Sequence, residues 1–263
     1  MFYGDFPQEN PILITDVTPQ AFHKFLDYVY TQDPELHSMN MDILEGVFYL
    51  AKKYLMNDMS EVLGQYMDKI ANPSNVTSIL QMAEFHDDVK LTNSALKVII
   101  NQTEKVLSSE DFLSAKIDVV KSILSRPYLK CDEIHVWEGA FNWSKAETER
   151  LGLEVIDKNI QKTIAPLLGH IHFLSMHPVV FCNGPAMSGG LTLEQSHSLL
   201  MNLTSPNCVP LPTEFSNRRK PRKVYCLENQ IPSSVNKQLE QMIKGVLNDS
   251  LRQSVINSQQ VSR

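Results

Sequence analysis

The sequence has little cysteine, little glycine and no long apolar run. Its four cysteines, Cys131, Cys182, Cys208 and Cys226, lie far apart without a Cys-x-x-Cys pair, which argues against a disulfide framework and a zinc ribbon. With only 10 glycines in 263 residues, Gly-rich phosphate-binding loops are scarce. No stretch reaches the ~18 consecutive apolar residues of a membrane helix, and the first residues lack the order of a signal peptide. These absences predict reduced thiols and a protein of the cytoplasm or nucleus.

Basic residues are also fewer than acidic residues. The chain has 24 Lys plus Arg against 30 Asp plus Glu, which gives a formal net charge of −6. Bulk attraction to nucleic-acid phosphates or to an anionic membrane is therefore not expected. The 43% hydrophobic and 21% charged side chains are ordinary for a folded soluble protein. Because helix-forming residues dominate most windows, the composition predicts a mostly α fold.

The clearest helix signal begins at Thr18. Thr18 suits the N-cap, Pro19 suits the first helical position, and apolar residues recur at helical spacing over about residues 19–30. The short apolar run at residues 12–14 indicates a single strand before it.

Two further helices are predicted before a module boundary. An amphipathic run covers residues 43–54, and the next helix begins where Asp58 and Glu61 have the spacing of a capping box. Pro73 disfavours helix at the residue before it, so the boundary is placed near residue 72.

From residue 76 to about residue 203, apolar residues recur every three or four positions, which predicts an array of helices. The strongest of these begins at Asp132 or Glu133, and Thr192 is a plausible cap for the last. Aromatic residues on the helix faces are predicted to pack in the core rather than to stack on nucleic-acid bases: Phe22, Phe25, Tyr28, Tyr30, Trp137, Phe141 and Trp143.

The composition changes again at Ser205. Prolines become frequent, and the run Arg218–Lys223, which we call the basic run, contains five cationic residues. Residues 205–263 are interpreted as a linker and tail, with an amphipathic helix near residues 235–247 that is too short for a coiled coil. The basic run fits either a solvated linker, which is favoured, or a nuclear-import signal.

Catalytic chemistry has little support. The nearest approach to a metal or nucleophile cluster is the set His170, His172, His177 and Cys182. Residues two apart on a helix point about 200 degrees from each other, and no second ligand pair completes a tetrahedral site. Cys131 and His135 are not at an offset that juxtaposes them on a helix face. The sequence predicts neither an enzyme nor a cofactor.

Several segments resemble known families. Residues 16–31 and 47–54 resemble the second half of a BTB (POZ) domain. From Asn75 onward the helical pairs resemble a BACK domain. Residues 141–147 and 191–198 are similar to the BTB–BACK proteins that usually carry a C-terminal PHR domain.

This resemblance implies a domain order. The C-terminal half of a BTB/POZ fold occupies residues 1–71, a BACK helical array follows at residues 72–204, and the linker and tail complete the chain. The N-terminal half of the BTB domain, which contains the family's dimer interface, and the PHR domain are expected to be absent.

The resemblance also implies a function, that of a protein–protein interaction adaptor that recruits a protein substrate to a cullin-3 ubiquitin ligase. In the family, a hydrophobic-x-Glu motif contacts the cullin. Phe6 would supply its apolar residue here, while Gln8 replaces the acid. The loop around Tyr54 and Met56, with the first BACK helices, would form the rest of the surface. The alternative is a non-ligase scaffold or dominant-negative truncated protein, and an unrecognised hydrolase is a third possibility.

Overall fold

The computed structural model describes residues 14–33 and 35–222, which contain twelve α-helices and no β-strand. The α-helices are α1 Pro19–Thr31, α2 Met41–Lys53, α3 Asn57–Ile70, α4 Val76–Phe85, α5 Val89–Asn101, α6 Thr103–Leu107, α7 Glu110–Leu113, α8 Ile117–Leu124, α9 Glu133–Arg150, α10 Asp157–Ile164, α11 Pro178–Asn183 and α12 Leu193–Thr204. Short 3-10 helices occur at Leu36–Ser38, Ala165–His170, Phe173–Ser175 and Pro185–Met187. The predicted mostly α fold is confirmed. In the described part of the chain, none of the helices combines the length and apolar character needed to cross a bilayer.

Two predicted features lie wholly or mainly outside the described residues. The strand expected at residues 12–14 overlaps them only at Ile14, which belongs to no regular element. The amphipathic helix expected near residues 235–247 falls beyond Arg222.

Helix starts follow the capping chemistry of the sequence in two of three cases. The Thr18 hydroxyl accepts a hydrogen bond from the Ala21 N–H at 3.3 Å, and Thr192 forms a reciprocal capping box with Gln195. The capping box predicted at Asp58 and Glu61 is wrong. The helix α3 begins at Asn57, because the preceding tight turn brings Met56 to the N-cap, and that cap makes no side-chain hydrogen bond.

A continuous apolar core runs from α1 to the residues after α12. At one end α1 and α2 approach so closely that a Cβ added to Gly46 would lie 2.6 Å from the Ala21 Cβ. At the other end Trp137 contacts Phe173, with their ring centroids 5.4 Å apart.

Most of the aromatic residues predicted to be in the core are buried or partly buried, but the prediction is wrong for Tyr30, which is 84% exposed. Tyr30 lies nine residues after the buried Ala21, and 100 degrees per residue places it on the opposite side of α1. The prediction placed Tyr30 on the apolar stripe of this helix, whereas its angular position puts it on the exposed side.

Within the region interpreted as a linker and tail, the segment 205–222 packs against the helices. Phe215 is buried, and its ring meets Phe173 edge-on with centroids 5.5 Å apart. The side chain of Arg222 is only 1% exposed. Proline-rich polar composition favours a loop, but composition does not separate a packed loop from a free one.

Candidate protein-interaction surface

A tight turn between α2 and α3 presents apolar side chains to solvent. Tyr54 follows α2, Leu55 adopts the left-handed backbone conformation with φ of 57°, and Met56 is the N-cap of α3. The Met56 N–H donates to the Ala51 carbonyl at 2.8 Å, which holds the turn. Leu55 is 80% exposed. A branched side chain with positive φ is uncommon, so this exposed leucine sits on a constrained backbone.

The turn between α4 and α5 is fixed against α2. The His86 ring meets the Phe48 ring edge-on at 5.3 Å, and the Lys52 ammonium forms an ion pair with Asp88 at 2.9 Å. Asp88 also caps α5 by accepting the Leu91 N–H at 3.1 Å. Phe85 on one side of this turn is 74% exposed, and Val89 on the other side is also exposed. We call the two turns, with Phe85 and Val89, the turn surface.

Two titratable residues of the α4–α5 turn, His86 and Asp88, have shifted pKa values. Burial lowers the pKa of His86, and the nearby Lys52 ammonium lowers it further. Burial is the largest influence on Asp88 and would raise its pKa, but the hydrogen bonds from Lys52 and from the Leu91 N–H, together with the Lys52 charge, outweigh it, so the pKa of Asp88 lies below its usual value. At neutral pH, His86 is therefore uncharged and Asp88 is ionised.

A groove of about 600 Å³ lies between α3 and α5. Lys52 of α2 and Asn57, the first residue of α3, line it beside the α2–α3 turn, and Asp87, Asp88 and Val89 line it at the α4–α5 turn. Glu61 and Asp68 of α3 are also among its lining residues. A smaller pocket of about 280 Å³ lies beside Phe85, between α2 and the residues that precede α1. Grooves bordered by exposed apolar side chains are typical of surfaces that bind other proteins.

The structure describes two of the four residues predicted to contact the cullin. Phe6 and Gln8 lie outside the described residues. Tyr54 is 51% exposed and stacks on Phe25 with ring centroids 5.6 Å apart, so only part of its ring is free for a partner. Met56 is half-buried beneath the turn. Tyr54 and Met56 thus lie close together in one turn.

The segments expected to form this surface, the loop around Tyr54 and Met56 and the first BACK helices, contain its most exposed apolar residues, but the sequence did not single them out: Leu55, Phe85 and Val89. The signal for Phe85 was present, because it is the last residue of an apolar helix and is followed by a polar turn. No pattern in the sequence indicated that the α4–α5 turn would contact α2 through Lys52 and Asp88.

The residues considered for catalysis have other contacts. His170 Nδ1 lies 3.1 Å from the Ser125 Oγ, but that hydroxyl donates its proton to the Lys121 carbonyl. The imidazole therefore donates to the serine instead of accepting its proton, which is the reverse of nucleophile activation. Burial raises the pKa of the Cys131 thiol to about 12, so the reactive thiolate is disfavoured.

His172 is buried, and the His177 Nδ1 accepts the Val179 N–H at 3.3 Å. Across residues 14–33 and 35–222, no group of three or more His, Cys, Asp or Glu side chains is arranged to hold a metal ion.

These features define a helical protein-interaction module. Family models match most of its length: the BTB/POZ domain over residues 1–71 and BACK, described as BTB And C-terminal Kelch, over residues 76–183. The chain therefore belongs to the BTB–BACK proteins, which generally act as protein-interaction adaptors.

Curated relatives agree with the family assignment. The chain is 30% identical over 220 residues to the human BTB/POZ domain-containing protein 6, an alignment that covers 83% of this chain and 40% of the relative. The chain is also 30% identical to BTB/POZ domain-containing protein 6-B of Danio rerio, in an alignment that covers 83% of this chain and 45% of that protein. The human BTB/POZ domain-containing protein 3 is 31% identical over 206 residues, which cover 78% of this chain and 39% of that protein. The chain thus spans less than half the length of these relatives.

Proposed function

We propose that this chain is an adaptor that links a protein substrate to a cullin-3 ubiquitin ligase. The observation that carries the proposal is the groove between α3 and α5, because α3 lies in the region matched by the BTB model and α5 in the region matched by BACK. A partner seated in this groove would contact both domains at once. The resemblance stated from the sequence implied a cullin contact in the same part of the chain.

In this proposal Leu55 and Tyr54 supply the apolar contacts. An exposed leucine on a constrained turn loses little conformational freedom when a partner covers it, so its burial converts efficiently into affinity. Phe6 would extend the apolar contact, and Gln8 would supply a neutral hydrogen bond where the family uses an acid. A neutral hydrogen bond is weaker than a charge-assisted one, so we expect modest affinity.

The test is a titration of the full chain against the immobilised N-terminal domain of cullin-3. Leu55→Asp is expected to weaken binding at least about tenfold, because it places a charge in an apolar contact. Aspartate tolerates positive φ better than leucine, so this variant should keep its fold. Leu193→Asp is the matched control, since Leu193 is similarly exposed but lies on α12 and does not belong to the turn surface.

Phe6→Asp is a second test variant and is also expected to reduce binding. No binding of the unmodified chain at micromolar concentration would refute the ligase role. Equal loss in Leu55→Asp and Leu193→Asp would show that the turn surface is not the contact. If the chain still captured other partners without cullin, the non-ligase scaffold would be the better description.

We further propose that the chain acts by binding alone and catalyses no reaction. The contacts of Ser125 and the raised pKa of Cys131 support this view. The corresponding test is a hydrolase survey of the purified chain with chromogenic ester and peptide substrates. Turnover that is lost in Ser125→Ala would refute the proposal.

A further inference from the structure

The guanidinium group of Arg222 uses all of its hydrogen-bonding capacity inside the protein. Nε and Nη2 donate to the two carboxylate oxygens of Glu133, each at 3.0 Å. The remaining three N–H groups donate to the backbone carbonyls of Leu124, Arg126 and His170. An arginine side chain has five N–H donors, so none is left for another molecule.

These contacts join parts of the chain that are distant in sequence. Leu124 is the last residue of α8 and Arg126 lies two residues beyond it, Glu133 is the first residue of α9, and His170 ends a 3-10 helix. Glu133 also accepts the His172 N–H at 2.7 Å. With side-chain exposures of 1% and 5%, Arg222 and Glu133 form a buried, fully bonded ion pair.

Other residues of the segment 205–222 are also held in place. The Ser198 hydroxyl donates to the Pro210 carbonyl at 2.9 Å, and Asn202 Nδ2 donates to the Val209 carbonyl at 3.0 Å. Phe215 is buried against Phe173. The segment is therefore attached to the helices at several points before the chain reaches Arg222.

Within the basic run, the cations differ in their surroundings. Arg218 and Lys220 are exposed. Arg219 is also exposed but donates to the Asn202 carbonyl at 2.8 Å. Among the run's described residues, 218–222, only Arg222 is buried. The backbone of these residues is thus held by Arg219 and by Arg222, while Arg218 and Lys220 face solvent.

A receptor that recognises a short basic segment must reach several of its cations along an extended backbone. Runs of five to eight residues rich in Lys and Arg serve as nuclear-import signals or as contacts for polyanions. The net charge of −6 disfavours a long polyanion such as DNA, whereas an import receptor with an acidic groove contacts only the run itself.

We propose that the basic run is a nuclear-import signal that the folded protein masks by burying Arg222. While Arg222 is bound to Glu133, an acidic import receptor cannot reach it or draw the run into an extended form. Release of the segment 205–222 would expose Arg222 together with Arg218, Arg219 and Lys220.

The test measures binding of the full chain to purified importin-α that lacks its autoinhibitory arm. Glu133→Gln removes the charge that holds Arg222 but leaves every cation of the run in place. This variant is expected to bind at least about tenfold more tightly than the unmodified chain. Phe215→Ala is a second releasing variant, which loosens the packing of the segment while both residues of the ion pair stay unsubstituted.

Two controls separate release of the signal from general unfolding. Limited trypsin digestion should cut both releasing variants at the basic run well before it cuts the helical core. Adding Arg218→Gln and Lys220→Gln to Glu133→Gln should abolish the gain in binding, because both residues are exposed and lie outside the ion pair.

Four results would overturn the proposal. In the first, the unmodified chain binds importin-α as tightly as the releasing variants do. In the second, neither variant becomes more sensitive to trypsin at the basic run. In the third, trypsin cuts both variants at the basic run but neither binds importin-α, whether or not they bind a DNA oligonucleotide. In the fourth, the gain in importin-α binding persists when Arg218 and Lys220 are replaced by glutamine.

Discussion

Removing Arg222 should destabilise the protein far more than removing an exposed arginine. Arg222→Met leaves the Glu133 carboxylate buried without its cation and leaves three carbonyls without their donors. Loss of one partner from a buried ion pair costs about 3–5 kcal/mol, against a total of about 5–15 kcal/mol for a typical domain. Glu133→Gln should cost less, since the amide oxygen still accepts a hydrogen bond. The double variant contains no unpaired buried charge, so we expect its loss to be smaller than the sum of the single losses by about 1–3 kcal/mol.

Urea unfolding followed by tryptophan fluorescence measures these free energies, because both tryptophans, Trp137 and Trp143, lie buried in the helix that Glu133 begins. The exposed Arg218→Met is the matched control and should change the free energy of unfolding by less than about 0.5 kcal/mol. If the Glu133 and Arg222 losses were additive within about 0.5 kcal/mol, the two side chains would not be coupled and the described ion pair would not exist in solution.

Three other perturbations test separate parts of the fold. Gly46→Ala should lower the free energy of unfolding by about 1–3 kcal/mol through its clash with Ala21, and Ala21→Gly in the same chain should recover part of that loss in urea denaturation. Asp111→Ala removes the carboxylate that accepts the first N–H groups of α4 and should cost about 1–2 kcal/mol, whereas Asp111→Asn should cost less; a larger loss for the asparagine variant would contradict the capping role. The folded protein disfavours protonation of His86, whose ordinary pKa is 6.5, so its contribution to stability is complete above that pH and is lost on acidification below it. Thermal unfolding between about pH 7.5 and about pH 5.5 should therefore depend less on pH in His86→Gln, and an unchanged dependence would refute this account.

Local signals allowed much of the helical fold to be predicted. The start of α1 was fixed by two adjacent residues, Thr18 and Pro19, whose preferences act on the backbone directly. The start of α3 could not be predicted in this way. It depends on the positive φ of Leu55, and leucine has no preference for that backbone conformation. Helix boundaries were therefore predictable where the cap itself determines the backbone, and not where a neighbouring turn does.

The candidate surface was only partly accessible to such reasoning. The family resemblance pointed to Tyr54 and Met56, since they belong to a recognisable segment. The pairing of Lys52 with Asp88 joins residues 36 positions apart, and that of Glu133 with Arg222 joins residues 89 apart. Ion pairs between such distant residues produce no periodic pattern in a single sequence. The sequence therefore favoured a solvated basic run, although Arg222 is among the most buried charges of the described residues.

The position of Arg222 has a consequence for how the protein is made. A ribosome completes α8 and α9 long before it adds the arginine that ties their ends together. During that interval the nascent chain contains a carboxylate that cannot be buried favourably, so this junction closes late in translation. Expression of a shorter version ending at residue 204, where the sequence alone suggests a domain boundary, would leave the junction permanently open and should give aggregated material.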